Sequence, residues 1–331
     1  MVRRPIVAIC LALGLLFVVG PLRVGSTLAA DAPPEFVSPY QAYELKLKPY
    51  SPAFHRPMGV LVYGRINGGR PLGLILDSAA DDVVIGAKIA RAAGIIATSD
   101  IDLVGPRNRP ARVGLADTFE VGPVRFRNCR VALVNGDVIE GADGVIPLSL
   151  FSGFLLQLDF PGKALRLIPY TRQRSQPYPP NGRAGTRNHL LVPAVLNGKQ
   201  SGPVILDTAA YCSVVSRDDA SALGGIPDAR LTQVWAGTGA IWGWIVSPAA
   251  HFLIAGRDAV SHEIVVLDLS NLSRHYGNEL LGIVGFPALR PYVLTIDYRA
   301  GRLTIEPPQR VFAREAPSTI TDNFPTQLPL R

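Results

Sequence analysis

Two aspartates in this 331-residue chain are delivered in the same way. Asp77 ends the run Gly73-Leu74-Ile75-Leu76 and leads into Ser78-Ala79-Ala80. Asp207 ends Pro203-Val204-Ile205-Leu206 and leads into Thr208-Ala209-Ala210. A β-type run that carries Asp and a hydroxyl residue into a turn often reflects only a side chain bonding its own backbone. Two carboxylates on duplicated elements can do more if the fold brings them together. Like charges at short range resist ionising together, so one keeps its proton and the pair offers an acid and a base at once.

The duplication extends well past the aspartates. At the same offset of 130 residues, Asn67-Gly68 answers Asn197-Gly198, Val84 answers Val214, Ala90 and Ala92 answer Ala220 and Ala222, and Gly94 answers Gly224. Later the offset grows to 138, where Gly144-Val145-Ile146 answers Gly282-Ile283-Val284 and Leu158-Asp159-Phe160 answers Ile296-Asp297-Tyr298. Loop insertions between aligned elements produce such drift, and the period is far too long for a solenoid.

These residues resemble the aspartic proteases of the retropepsin and pepsin clan. Each half there carries a hydrophobic-hydrophobic-Asp-(Thr/Ser)-Gly motif and a later hydrophobic-hydrophobic-Gly motif. The resemblance runs from about Val60 to Pro307 and is best in the second half, which has Gly285 after Gly282-Ile283-Val284. It implies an all-β fold of two pseudo-symmetric retropepsin-like β-barrel lobes in one chain, each with a short helix. It also implies an aspartic endopeptidase, with Asp77 and Asp207 as the catalytic pair around a water. Ser78 and Thr208 would lock the aspartate loops to each other, and Val145-Ile146 and Ile283-Val284 would pack behind them, with Gly144, Gly282 and Gly285 in support. No cofactor is implied. Both halves lie in one chain, so the expected state is a monomer acting on a peptide or protein.

Two departures from the family pattern keep open a second reading, a catalytically silent module that binds peptides or a protein. Ala79 and Ala209 stand where the motif has glycine; each keeps the backbone N–H but adds a methyl where a substrate backbone should pass. Pro147 replaces the glycine that Gly285 supplies in the second half. Ala80 and Ala210 lack the hydroxyl found in gastric-type enzymes, which predicts higher carboxyl pKa values and a pH optimum in the mildly acidic to neutral range.

The elements needed to position the aspartates are legible as strands. Val60–Ile66, a turn at Asn67-Gly68 and Leu72–Leu76 read as a hairpin ending at Asp77, and 189–204 repeats it around Asn197-Gly198. A short helix follows each β-branched run and ends near Gly94 or Gly224, with Ser216 and Asp219 as a capping signature in the second copy. Residues 118–121 and 130–134 read as strands with counterparts at 251–254 and 263–267, and each half closes with a hairpin, at 155–167 and 293–305. A mobile flap over the second half is expected at 234–244, where Gly237 and Gly239 allow movement and Trp235 and Trp242 offer apolar contact. The alternative is that these tryptophans are core residues. Its first-half equivalent near 104–114, with Arg107, Arg109 and Arg112, reads as a solvated loop.

The resulting division is a signal peptide at 1–30, an extended N-terminal segment at 31–54, a first lobe at 55–170, a linker at 171–188, a second lobe at 189–308 and a polar tail at 309–331. Residues 31–54 could be a propeptide, although Tyr43–Leu47 alternates like a strand. Arg3-Arg4, the apolar run 5–20 and the small residues 26–30 are the three parts of a secretory leader cut after Ala29 or Ala30, which implies a secreted or periplasmic protein. An uncleaved anchor is the alternative, but the 16-residue run is shorter than the roughly 20 residues of a span. Loss of Arg3, Arg4 and Arg23 lowers the formal charge from +7 to +4, which gives no reason to expect nucleic acid. The five histidines are scattered and no metal is expected. Cys129 and Cys212 could pair only if the fold brings them together.

Overall fold

The computed structural model describes residues 17–19, 35–37, 40–52, 57–170, 182–183, 189–224, 230–246, 249–262 and 264–308. Most of the expected leader, most of the linker and the whole C-terminal tail lie outside the described residues.

The fold is mostly β, in three sheets of ten, six and nine strands. Each half contributes one large sheet with the same internal order. In the first, Gly59–Ile66 pairs antiparallel with Leu72–Asp77, which pairs parallel with Gly144–Pro147. Gly144–Pro147 in turn contacts Val83–Gly86. In the second, Leu191–Leu196, Gln200–Asp207, Gly282–Gly285 and Ser213–Ser216 repeat these pairings. The matched turns have a local cause: Asn67 and Asn197 have φ of 48° and 49°, and Gly68 and Gly198 have 70° and 66°, the left-handed values that a two-residue hairpin turn demands.

The closing hairpins of the two halves, Phe154–Asp159 with Ala164–Pro169 and Val293–Asp297 with Arg302–Glu306, join across the lobes. Leu156 pairs with Ile296 and Leu158 with Leu294, giving one six-stranded sheet. Tyr43–Lys46 adds to its other side against Ala164–Leu167, so this part of the N-terminal segment is a strand. Leu156, Leu158, Leu165, Leu167, Leu294 and Ile296 are fully buried there, in a core continuous with both lobes.

Two local expectations change. The second short helix is a 3-10 helix, Arg217–Leu223, and Ser216 at its start makes no side-chain cap. Its amide instead donates to Leu281 O, and the Asp219 carboxylate is engaged by Gln200. The region expected to be a solvated loop at 104–114 belongs to a long hairpin, Ala97–Val104 with Arg109–Val121. The arginines hid an alternation in which Ala111 and Val113 face inward while Arg112 faces out. This hairpin corresponds to Arg230–Ala236 with Gly239–Val246 in the second half. Phe17–Val19, within the expected leader, pairs with Asp102–Val104 at its edge.

Candidate active site

Parallel pairing places each aspartate beside the end of a buried strand: Asp77 opposite Pro147 and Asp207 opposite Gly285. The glycines at the start of those strands are sterically required. A Cβ on Gly144 would stand 2.2 Å from Val84 O, and one on Gly282 2.2 Å from Val214 O. Gly285 is equally constrained, 2.2 Å from Cys212 O. Pro147 stands at the Gly285 position of the first lobe, which is bonded differently there. In the second lobe Gly285 N donates to Ser213 Oγ at 3.1 Å; in the first, Val83 stands at the Ser213 position and Pro147 has no N–H, so donor and acceptor are absent together.

Across the lobes the two aspartate loops hold each other reciprocally. Ser78 Oγ donates to Leu206 O at 2.7 Å and accepts from Thr208 N at 3.1 Å; Thr208 Oγ1 donates to Leu76 O at 2.7 Å and accepts from Ser78 N at 3.1 Å. All four bonds are buried and span both loops, so the two carboxylates are fixed relative to one another by groups of adjacent residues.

Both aspartates are fully buried. Asp77 Oδ1 accepts from Ala79 N at 2.7 Å, and Asp207 Oδ1 accepts from Ala209 N and Ala210 N, each at 2.9 Å. The second oxygen of each carboxylate has no protein partner. Burial pushes the Asp77 carboxyl well above its ordinary range, with the charges of Asp207 and then Asp81 adding to the effect and the Ala79 amide opposing it. Burial likewise lifts Asp207 to about 7, against the pull of the Ala209 and Ala210 amides. The two carboxylates are coupled, so their protons belong to the pair, and both are held above the ordinary carboxyl range.

Alanine in place of glycine fits this geometry. Neither Ala79 nor Ala209 adopts a positive φ, and their N–H groups do what the carboxylates need. Their methyls lie in one apolar cluster with Tyr50, Met58, Val104 and Val234, so residues of both hairpins close over the aspartate loops. A guanidinium ties the hairpins: Arg109 donates to Gly237 O at 2.9 Å, and to Asn135 O at 2.7 Å and Asp137 O at 3.4 Å. Asn271 of the second lobe bonds Gly105 O and Asn108 Oδ1 at the tip of the first hairpin.

Gly237-Thr238 forms the turn of the second hairpin and Gly239 follows at φ 124°. Trp235 and Trp242 are 48% and 62% exposed, whereas Trp244 packs on the core beneath the Arg217 guanidinium. Between this tip and the first lobe lies a groove of about 720 Å³, lined by Tyr50, Met58, Leu61, Tyr63, Ile139 and Trp235, with Asp137, Glu140 and Asp143 among its polar groups. The aspartates do not line it. Asp143 is neutralised by Arg70 at 2.6 Å.

Cys129 and Cys212 are both buried and are not joined to each other by a disulfide. Among the described residues no cluster of three His, Cys, Asp or Glu side chains could hold a metal, and no helix is long and apolar enough to cross a membrane. Sequence reasoning passed over Asp81, His189 and Arg109. Asp81 stands four residues past Asp77 where the second copy has Tyr211, an asymmetry the alignment of the halves could have exposed.

Residues 62–148 match the aspartyl protease family. No curated protein sequence matches the chain. Among solved structures the chain is similar to the aspartic proteinase from Irpex lacteus at 13% identity, over 82% of this chain and 99% of that one, with a TM-score of 0.55. At that identity the likeness is one of fold.

Proposed function

We propose that this chain, with an aspartyl protease match in its first lobe and a fold similar to an aspartic proteinase over 82% of its length, is an exported single-chain aspartic endopeptidase. The observation that carries the reading is the reciprocal Ser78–Thr208 lock around two buried carboxylates whose proton affinities are raised together. A protein using these aspartates only to cap turns has no need to place two of them, unpaired by any cation, against each other.

The chemistry follows from one shared proton. Asp207, whose Oδ1 accepts from the Ala209 and Ala210 amides, is assigned the charge, and Asp77, whose Oδ1 accepts from Ala79 N, the proton. Asp207 takes a proton from a water as that water's oxygen bonds the scissile carbonyl carbon, and Asp77 gives its proton to the carbonyl oxygen. Collapse of the resulting diol returns the hydroxyl proton to Asp77, while the proton on Asp207 passes to the departing amine nitrogen. The groove beside Trp235 suits an apolar or aromatic side chain. Thr238, at the hairpin tip, buries a hydroxyl with no protein partner that can serve a peptide backbone.

Complete burial of both aspartates favours the second reading, a peptide-binding module, unless the hairpins open. Cleavage of a mixed peptide library across pH 3 to 8, beside Asp77→Asn and Asp207→Asn, separates the two. Cleavage abolished by either substitution in a folded protein supports the endopeptidase, and binding without cleavage at any pH supports the module. Export predicts a mature chain beginning at Ala30 or Asp31, which N-terminal sequencing of the protein from its native host checks; a chain still carrying residues 1–29 would count against it.

A further inference from the structure

The two halves differ in the residues beside the aspartates. Where the second copy has Tyr211, the first has Asp81, and where the first copy has Gly59, the second has His189. The two exceptions meet across the lobes. His189 Nε2 stands 2.7 Å from Asp81 Oδ1, with the imidazole fully buried and the Asp81 side chain 26% exposed. The other ring nitrogen, Nδ1, is 3.0 Å from the Tyr276 hydroxyl, and the two rings meet edge to face. His189 immediately precedes the strand that pairs with the Asp207 strand, and Leu190 O accepts from Leu206 N. The ring therefore reaches from the support of one aspartate to the loop of the other.

The first-lobe position pseudo-equivalent to His189 has no such reach. A Cβ on Gly59 would meet Thr208 O at 3.6 Å, an ordinary contact, so the site has room for a methyl but presents no side chain. The arrangement is one-sided, and a negative charge is held next to Asp77 with no counterpart next to Asp207.

We propose that Asp81 and His189 are a positioning pair: His189, steadied by Tyr276, holds the Asp81 carboxylate beside Asp77 so that the first-lobe aspartate keeps the proton the two catalytic carboxylates share. This rests on the reading of Asp77 and Asp207 as a shared-proton pair. The unfavourable effect of Asp81's charge on ionised Asp77 has the required sign. The other groups facing the pair are Asp82, which is itself bound to Arg130 at 3.1 Å, Asp207, Tyr276 with His275 packed on it, and Tyr298, whose phenol is discouraged from ionising by burial and by Asp77. None of these is altered in Asp81→Asn, His189→Leu or His189→Gln.

The test is a carboxyl-carbon NMR titration of aspartate-labelled full chain, with Asp77→Asn and Asp207→Asn to assign the signals. It reads proton binding whether or not the protein cleaves peptides. Asp81→Asn is expected to lower the upper titration midpoint of the pair by about one pH unit or less, the effect of removing one like charge nearby. His189→Leu should move it the same way, His189→Gln, which keeps an N–H, should stay close to the parent, and Asp81→Asn with His189→Leu should shift no further than Asp81→Asn alone. An unmoved midpoint in folded Asp81→Asn overturns the proposal, as does an upward shift in His189→Leu, which would mean that the ring screens Asp81. Should His189→Leu fail to fold, Asp81→Asn, altering a partly exposed side chain, decides alone. Two aspartates that titrate independently refute the premise, whereas a coupled pair in a protein that cuts nothing refutes only the endopeptidase.

Discussion

Replacing Asp207 by asparagine should stabilise the protein at neutral pH. The carboxylate is fully buried and its pKa in the folded state, about 7, lies well above the ordinary 3.8. Between those values the folded protein binds a proton that the unfolded chain releases. This contribution is fully present below pH 3.8 and is lost as pH rises through 7, so stability falls across that window. A difference of about 3 units at roughly 1.4 kcal/mol each sets the cost of ionising Asp207 in place at no more than about 4 kcal/mol. Asparagine keeps the oxygen that accepts from the Ala209 and Ala210 amides and removes the charge. Asp207→Asn is therefore expected to melt higher than the parent at pH 8, by roughly 4 to 8 °C for about 2 to 4 kcal/mol in a chain of this size, and the two curves should converge near pH 4. Calorimetry at pH 4, 5, 6, 7 and 8 reads both. A variant no more stable than the parent at pH 8, or a gap that does not change with pH, would refute the claim that this carboxylate is buried at the expense of stability.

Other consequences can be measured on the same protein. Thr208→Val strips Leu76 O of its donor and Ser78 N of its acceptor, and should cost about 2–4 kcal/mol in urea unfolding; Ser78→Ala should cost a similar amount, and the double variant less than the sum, since the four bonds form one unit. Gly282→Ala drives a Cβ into Val214 O and should leave no folded protein, whereas Gly73→Ala, whose Cβ would meet only the Tyr63 ring at 3.7 Å and Asp143 at 3.9 Å, should change stability by less than about 1 kcal/mol. Soluble yield and thermal melting distinguish the two glycines. Arg109→Leu removes the donor that ties the second hairpin to the first lobe, and amide hydrogen exchange in 230–246 should quicken by about tenfold or more; unchanged exchange would show that apolar packing alone holds the hairpin.

The aspartate strands and their turns were legible because each is a local pattern written twice. Asn67-Gly68 and Asn197-Gly198 need left-handed backbone, and Gly144 and Gly282 face a carbonyl at the same distance, so chemistry and spacing agree. The six-stranded interlobe sheet was not legible. Leu156 meets Ile296 across 140 residues, and each closing hairpin alone is equally consistent with staying inside its own lobe. The first hairpin was hidden by its arginines, since Arg107 and Arg112 face solvent while Ala111 and Val113 point inward. Arg109 was invisible because its partners are backbone carbonyls, which carry no residue signature. His189 was discounted as one of five scattered histidines; its partner lies 108 residues away and only the docking of the lobes brings them together.

In the proposed endopeptidase, Asp77 and Asp207 divide one proton and direct water at a peptide bond. A single turnover of a cleaved peptide in ¹⁸O-enriched water, quenched and read by mass spectrometry of both product and intact protein, tests it most directly. The expected result is one ¹⁸O in the new carboxylate, an unmodified protein at every time point, and no product from Asp77→Asn or Asp207→Asn. An acyl adduct on the protein, or undiminished cleavage by either folded variant, would contradict it.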